Sequence, residues 1–170
     1  MADHEVPPES PFALLSEAEA GVWYAYMKVH LRLRYELHQQ LRRDSGIALA
    51  DYDVLVALTS EPERRMSVAD LAARIGWERS RLSHRVRGLR ERGLVETRPG
   101  ATDLRSTEVV LSEAGRSALL EAAPGHIAFV RAAFLDALDP EQKAAMQSAL
   151  EGVYDGLIEH GTLPRPADHP

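Results

Sequence analysis

Apolar residues recur at helical spacing through most of this chain, and one short β-prone stretch interrupts them. Ser16 with Glu19 three residues on has the form of a capping box, and the pattern behind it predicts a long helix to about Arg43. Its stripe of Trp23, Met27, Leu31, Tyr35 (or Arg34) and Leu41 is broad enough to pack on two surfaces, and Asp44, Ser45 and Gly46 end it. A second helix is expected over Ile47–Thr59, with Tyr52, Val54, Leu55 and Leu58 inward and Pro62 closing it.

Residues 66–111 change the rhythm. Ser67 and Asp70 again have capping-box spacing, before a short helix carrying Val68, Leu71, Ala72 and Ile75. Gly76 breaks that pattern at a tight turn. A longer helix follows from about Glu78 to Arg92, with Leu82, Val86 and Leu89 on one face, and Gly93 stands where a left-handed cap would stop it. Two β-prone runs, Leu94–Thr97 and Thr107–Leu111, flank Pro99, Gly100, Thr102, Asp103 and Arg105. Helix, turn, longer helix and hairpin is the order of a winged helix-turn-helix.

Beyond the hairpin, Ser112 and Glu113 open a helix expected to reach about Leu138, with a kink or short break at Pro124–Gly125. Asp139, Pro140, Glu141 and Gln142 start a last helix, whose Met146, Leu150, Val153 and Leu157 repeat at four, three, four. The fold class is therefore mainly α with a small β-hairpin wing. The expected organisation is a disordered tail over 1–11, one domain over 12–160 and a loose tail over 161–170. Within the domain, a reader module of about 47–111 sits between helices of about 16–43 and 112–160.

Charge sharpens the picture. Residues 64–105 hold 11 arginines against 5 Asp or Glu, a net +6, while the rest holds 9 basic and 21 acidic residues, a net −12. Basic balance is thus confined to the segment shaped like a DNA reader, and the remainder would repel phosphate. On the longer helix of that segment, the face opposite Leu82, Val86 and Leu89 carries Ser80, His84, Arg87 and Glu91, flanked by Arg81 and Ser83. Arg79 and Arg85 lie nearer the apolar seam, where long stems can still swing a guanidinium outward. Arginine can donate two bonds to guanine, and Ser or His can reach a base edge or a phosphate. The competing reading is a plain solvated helix surface.

Other chemistry is thinly represented. The chain has no cysteine, which excludes disulfides, thiolate metal sites and cysteine-based peroxide sensing. His30 and His38 are eight apart, and no His-x₃-His pair supports a metal, so neither metal nor cofactor is expected. No Gly-x-Ser-x-Gly elbow or Gly-rich phosphate loop points to an enzyme. With no unbroken run of 18 apolar residues and an acidic start MADHEVPPESP, the expectation is a cytoplasmic protein without membrane contact.

Residues 67–113 resemble the MarR family of transcriptional regulators, through SVADLAARIG, SRLSHRVRGLRERGLVE and the wing TDLRSTEVVLSEAG with its Asp-x-Arg at Asp103 and Arg105. The family pattern continues through Val110, Leu111, Ser112, Gly115 and Arg116. The resemblance implies a homodimer built from the first and last helices, acting on double-stranded DNA, usually as a repressor on an inverted repeat. It implies base or phosphate contacts from Ser80, Ser83, His84 and Arg87, backbone contacts from Arg79 and Arg81, and a minor-groove contact from Arg105 steadied by Asp103 beside Thr102. Ser67, at a helix start, would offer amides to a phosphate. A small aromatic or phenolic effector is also implied, with Trp23, Tyr26, His30 and Arg34 as candidate lining, although such a stripe is equally plain core. The rival function is a winged helix serving as a protein-interaction or dimerisation module without specific DNA binding.

Overall fold

The computed structural model describes residues 7, 9–100 and 104–166. A short 3₁₀ turn, Pro11–Leu14, precedes helix α1, Glu17–Ser45. The Ser16 hydroxyl accepts from the Glu19 amide and the Glu19 carboxylate accepts from the Ser16 amide, so the first capping box forms as expected. The Ser16 hydroxyl also donates to that carboxylate at 2.6 Å, and this bond, with the one from the Ser16 amide, holds the Glu19 carboxyl below its usual range. Gly46, at φ +70°, ends α1 in the left-handed region.

Helix α2 spans Leu49–Thr59, two residues later than the sequence suggests, because the Ile47 side chain fills the core before the helix begins. Then come strand β1 (Arg65–Ser67), α3 (Val68–Arg74), α4 (Arg79–Glu91), β2 (Val95–Pro99) and β3 (Thr107–Leu111). The expected two-stranded hairpin is in fact part of a three-stranded antiparallel sheet of order β1-β3-β2. Met66 and Thr97 both pair with Val109, from opposite sides of β3. The core lies between this sheet and α2, α3 and α4, where Val54, Leu55, Leu58, Leu71, Leu82 and Val109 are wholly buried.

Helix α5, Glu113–Val130, starts on a Ser112 hydroxyl that accepts from the Gly115 amide. The expected break at Pro124–Gly125 does not occur. The helix runs through Pro124, and the irregularity comes later, as a wider π-helical turn over Arg131–Leu135 in which the Asp136 amide reaches the Arg131 carbonyl. Proline removes one amide donor, and on a partly exposed helix the carbonyl it orphans can turn to water. Glu113–Leu135 has a mean hydropathy of 1.3 and is long and apolar enough to cross a membrane by length and composition, although polar residues interrupt its apolar run. It packs on α1 and α2 and buries Gly115, Leu119, Ala122 and His126. Helix α6, Pro140–His160, opens on a capping box between Asp139 and Gln142 and buries none of its residues.

Candidate nucleic-acid interface

The reader face begins with a turn that only certain residues allow. Gly76 takes φ +67°, which turns the chain between α3 and α4 and lets Trp77 fold into the core at 7% exposure. The Arg81 guanidinium then lies 4.3 Å from the Trp77 ring centroid, a cation–π contact that holds this arginine at the start of α4. Leu82, Val86 and Leu89 are buried as the periodicity requires, and Gly93 at φ +73° closes the helix. The opposite face, with Ser80, His84 and Arg87, is exposed, as are Arg79, Arg81 and Ser83 beside it.

Among the described residues, Arg79, His84 and Arg87 make no side-chain hydrogen bond or ion pair, so their charge and donors face solvent uncommitted. Ser83 donates its hydroxyl to the Arg79 carbonyl at 2.8 Å, and Ser80 reaches Glu78 at 3.5 Å. In the wing, the Gly100 amide donates to the Ser106 carbonyl at 3.0 Å, and Arg105 is exposed and has a partner of its own. Thr102 and Asp103 lie outside the described residues, so the pairing of Asp103 with Arg105 stays an expectation.

The start of α3 differs from its expected form. The Ser67 hydroxyl accepts from the Asp70 amide, but the Asp70 carboxylate bonds the Ser67 hydroxyl at 2.6 Å rather than the Ser67 amide. Aspartate is one methylene shorter than the glutamate of a full capping box and does not reach back. An anion therefore already stands at this helix end, and the Ser67 hydroxyl is engaged in the turn.

The four candidate effector residues do not form one pocket. Trp23, Tyr26 and His30 stack in sequence along α1, with ring centroids 5.5 and 5.4 Å apart, on an exposed face. Arg34 instead turns to Asp53 of α2 at 3.4 Å, at a cavity of about 350 Å³ between α1, α2, α3 and α5. Tyr52, Arg74 and His126 also line that cavity. Burial raises the Asp53 carboxyl, which Arg34 partly offsets, and burial lowers the His126 imidazole. His126 Nδ1 lies 3.0 Å from the Gln40 oxygen; the Gln40 amide nitrogen donates to Asp44, so the ring nitrogen is the donor. Buried Arg74 bonds Glu61 at 2.6 Å and the Ala57 carbonyl, yet its Nε finds no acceptor.

Sequence reasoning also missed Asp51, a buried carboxylate on α2 that takes Arg85 on one oxygen at 3.2 Å and Arg92 on the other at 2.6 Å. Arg85 thus remains partly exposed but is tied to a buried carboxylate rather than free. An arginine pair seven residues apart is visible in the sequence; that one acid 34 residues upstream meets both is not. Among the described residues, no group of three His, Asp or Glu is placed to hold a metal.

The profile of the MarR family matches residues 45–106. Among solved structures, the chain resembles Sco3205, a MarR family transcriptional regulator from Streptomyces coelicolor in complex with DNA. Identity is 35% over 89% of this chain and 95% of that one, with a TM-score of 0.83. AbsC, a MarR family regulator from the same organism, is 31% identical over 86% of this chain and 98% of its own, with a TM-score of 0.81. The Mycobacterium tuberculosis regulator MosR, solved in complex with DNA, is 25% identical over 78% of this chain and 95% of its own, with a TM-score of 0.62. Among curated proteins, none matches this sequence.

Proposed function

The chain belongs to the MarR family of transcriptional regulators, and from that premise we propose that it represses transcription as a homodimer on an inverted-repeat operator. The observation that carries this reading is the exposed α4 surface, where His84 and Arg87 stand uncommitted opposite a buried seam and Arg79 stands uncommitted beside them. Arg87 with Ser80, Ser83 and His84 reads base edges or adjoining phosphates, Arg79 and Arg81 hold the backbone, and Arg105 meets the minor groove, with Thr102 and Asp103 beside it. A two-fold dimer would set two such helices roughly 34 Å apart, one turn of DNA.

Support for the dimer comes from the outer helices. Leu150, Val153 and Leu157 of α6 are 50%, 60% and 64% exposed, and an open apolar groove of about 1090 Å³ lies between Phe134, Leu135 and Leu138 and the Met146, Leu150 and Tyr154 side chains of α6. Such a face in water calls for a cover, and a second copy supplies one. Support for a small aromatic effector comes from the cavity at Arg34, Tyr52 and His126. Its size suits a small ligand, and Arg34 and Tyr52 at its wall offer that ligand a cation and a hydroxyl. Trp23, Tyr26 and His30 belong in this reading to the dimer-forming face of α1.

Fluorescence anisotropy against the DNA flanking its own gene, beside shuffled DNA across a salt series, tests the core of the proposal. Preferential binding with a steep salt slope is expected. Arg87→Ala should cost about 1–3 kcal/mol and relax preference at one base pair, and Arg105→Ala should lower the salt slope by about one. Absence of binding even at low salt would favour the interaction module instead.

A further inference from the structure

We propose that Asp51 is a positioning residue that sets the rotation of α4 and, by retaining two of its cations, keeps binding sequence-specific; this rests on the DNA-reading role proposed for α4. Asp51 stands in the first turn of α2, where an acid could serve its own helix, and Ala48 leaves that helix without a side-chain cap. Its carboxylate turns instead to α4. One oxygen meets Arg85 in the middle of the helix, and the other meets Arg92 at its C-cap. Residues seven apart lie on one side of a helix two turns from each other, so a single anion grips α4 at two points along its length.

Two such points fix rotation about the helix axis, which a single contact or an apolar seam leaves softer. Rotation is what decides whether Arg87 and Ser80 meet base edges or slide along phosphates. The clamp has a second effect. The Asp51 side chain is 4% exposed, whereas those of Arg85 and Arg92 are 43% and 48% exposed. The two guanidiniums are at the surface yet neutralised from beneath. Freed, they would add sequence-blind attraction to any phosphate backbone. Asp51 thus sets Arg85 and Arg92 apart from Arg79 and Arg87, which are left free for DNA.

Asp51→Asn separates this role from plain support, because it is isosteric and leaves behind two arginines that water can solvate. The probe is a duplex enriched by wild-type protein from a random library, beside a shuffled duplex, with each affinity followed across a salt series. The selected-to-shuffled ratio should fall about tenfold, while binding to shuffled DNA tightens and its salt slope steepens by about one to two, the number of cations released. The double variant Arg85→Gln with Arg92→Gln should lose the ratio without the steeper slope. An unchanged ratio and slope in Asp51→Asn would overturn the proposal, as would parallel loss on both duplexes with a matching fall in thermal midpoint. If wild-type protein enriches no duplex, the DNA-reading role of α4 fails first.

Discussion

The reader module and the outer helices are built from similar proportions of apolar residues but finish the work of burial differently. Between α2 and β3, Leu55, Leu58, Leu71, Leu82, Leu89 and Val109 are at most 1% exposed, and a three-stranded sheet closes one side. Along α6, by contrast, no residue is buried, and on α1 Val22, Leu31 and Tyr35 are 73%, 63% and 58% exposed. A core sealed by its own chain gives a rigid platform for α4. A helix layer left open would gain stability from the proposed second copy.

The comparison breaks first if the reader is less tightly packed than it looks. Leu82→Ala should cost about 2–5 kcal/mol in chemical unfolding, since the side chain is wholly buried beneath the proposed DNA face. A loss below 1 kcal/mol would mean that the site collapses and that α4 is not held by its seam. The joint between the two regions comes next. A Cβ on Gly115 of α5 would lie 2.0 Å from the Leu94 carbonyl oxygen and 2.9 Å from Leu111 Cδ1, so Gly115→Ala should cost about 1–3 kcal/mol and loosen α5 from the wing. Wild-type stability in that variant would show that the joint gives way freely.

Leu157→Ala sharpens the contrast from the other side. In a monomer this change at a 64% exposed position should stay within about 0.5 kcal/mol. In a dimer it should weaken association by about 1–2 kcal/mol, read by light scattering over a dilution series. Indifference at every concentration would leave α6 outside the interface. The smallest effect expected is with pH. Burial depresses His126, so the unfolded chain takes up a proton there more readily than the folded one. Stability should therefore fall as pH drops through about 6.5 and level off below the lowered folded value. His126→Gln should flatten that part of the profile, and an identical profile would assign it to another group.

What could be read from the sequence was local. The caps at Ser16, Gly46, Gly93 and Asp139 and the seam of Leu82, Val86 and Leu89 each depend on residues within one or two turns, and all form as expected. Strand β1 was missed because three residues carry no periodicity, and its partner Val109 stands 43 positions from Met66. The pairing of Gln40 with His126 and the clamp on Asp51 are likewise products of tertiary meeting, invisible to spacing. The α1 aromatics show the opposite limit. Their spacing correctly placed Trp23, Tyr26 and His30 on one face, but spacing says nothing of what that face meets, and Arg34 one turn on has another neighbour.

The wide turn at Arg131–Leu135 has a geometric corollary. Holding one residue more than a regular turn, it shifts the phase of everything after it by about 100°. Phe134, Leu135 and Leu138 owe their place opposite Met146 and Leu150 to that offset. The segment is thus a one-residue insertion absorbed without breaking the chain's path. Loss or gain of a residue here would re-aim α6 and, in the proposed dimer, alter the spacing between its two readers, while leaving α4 and the wing unchanged.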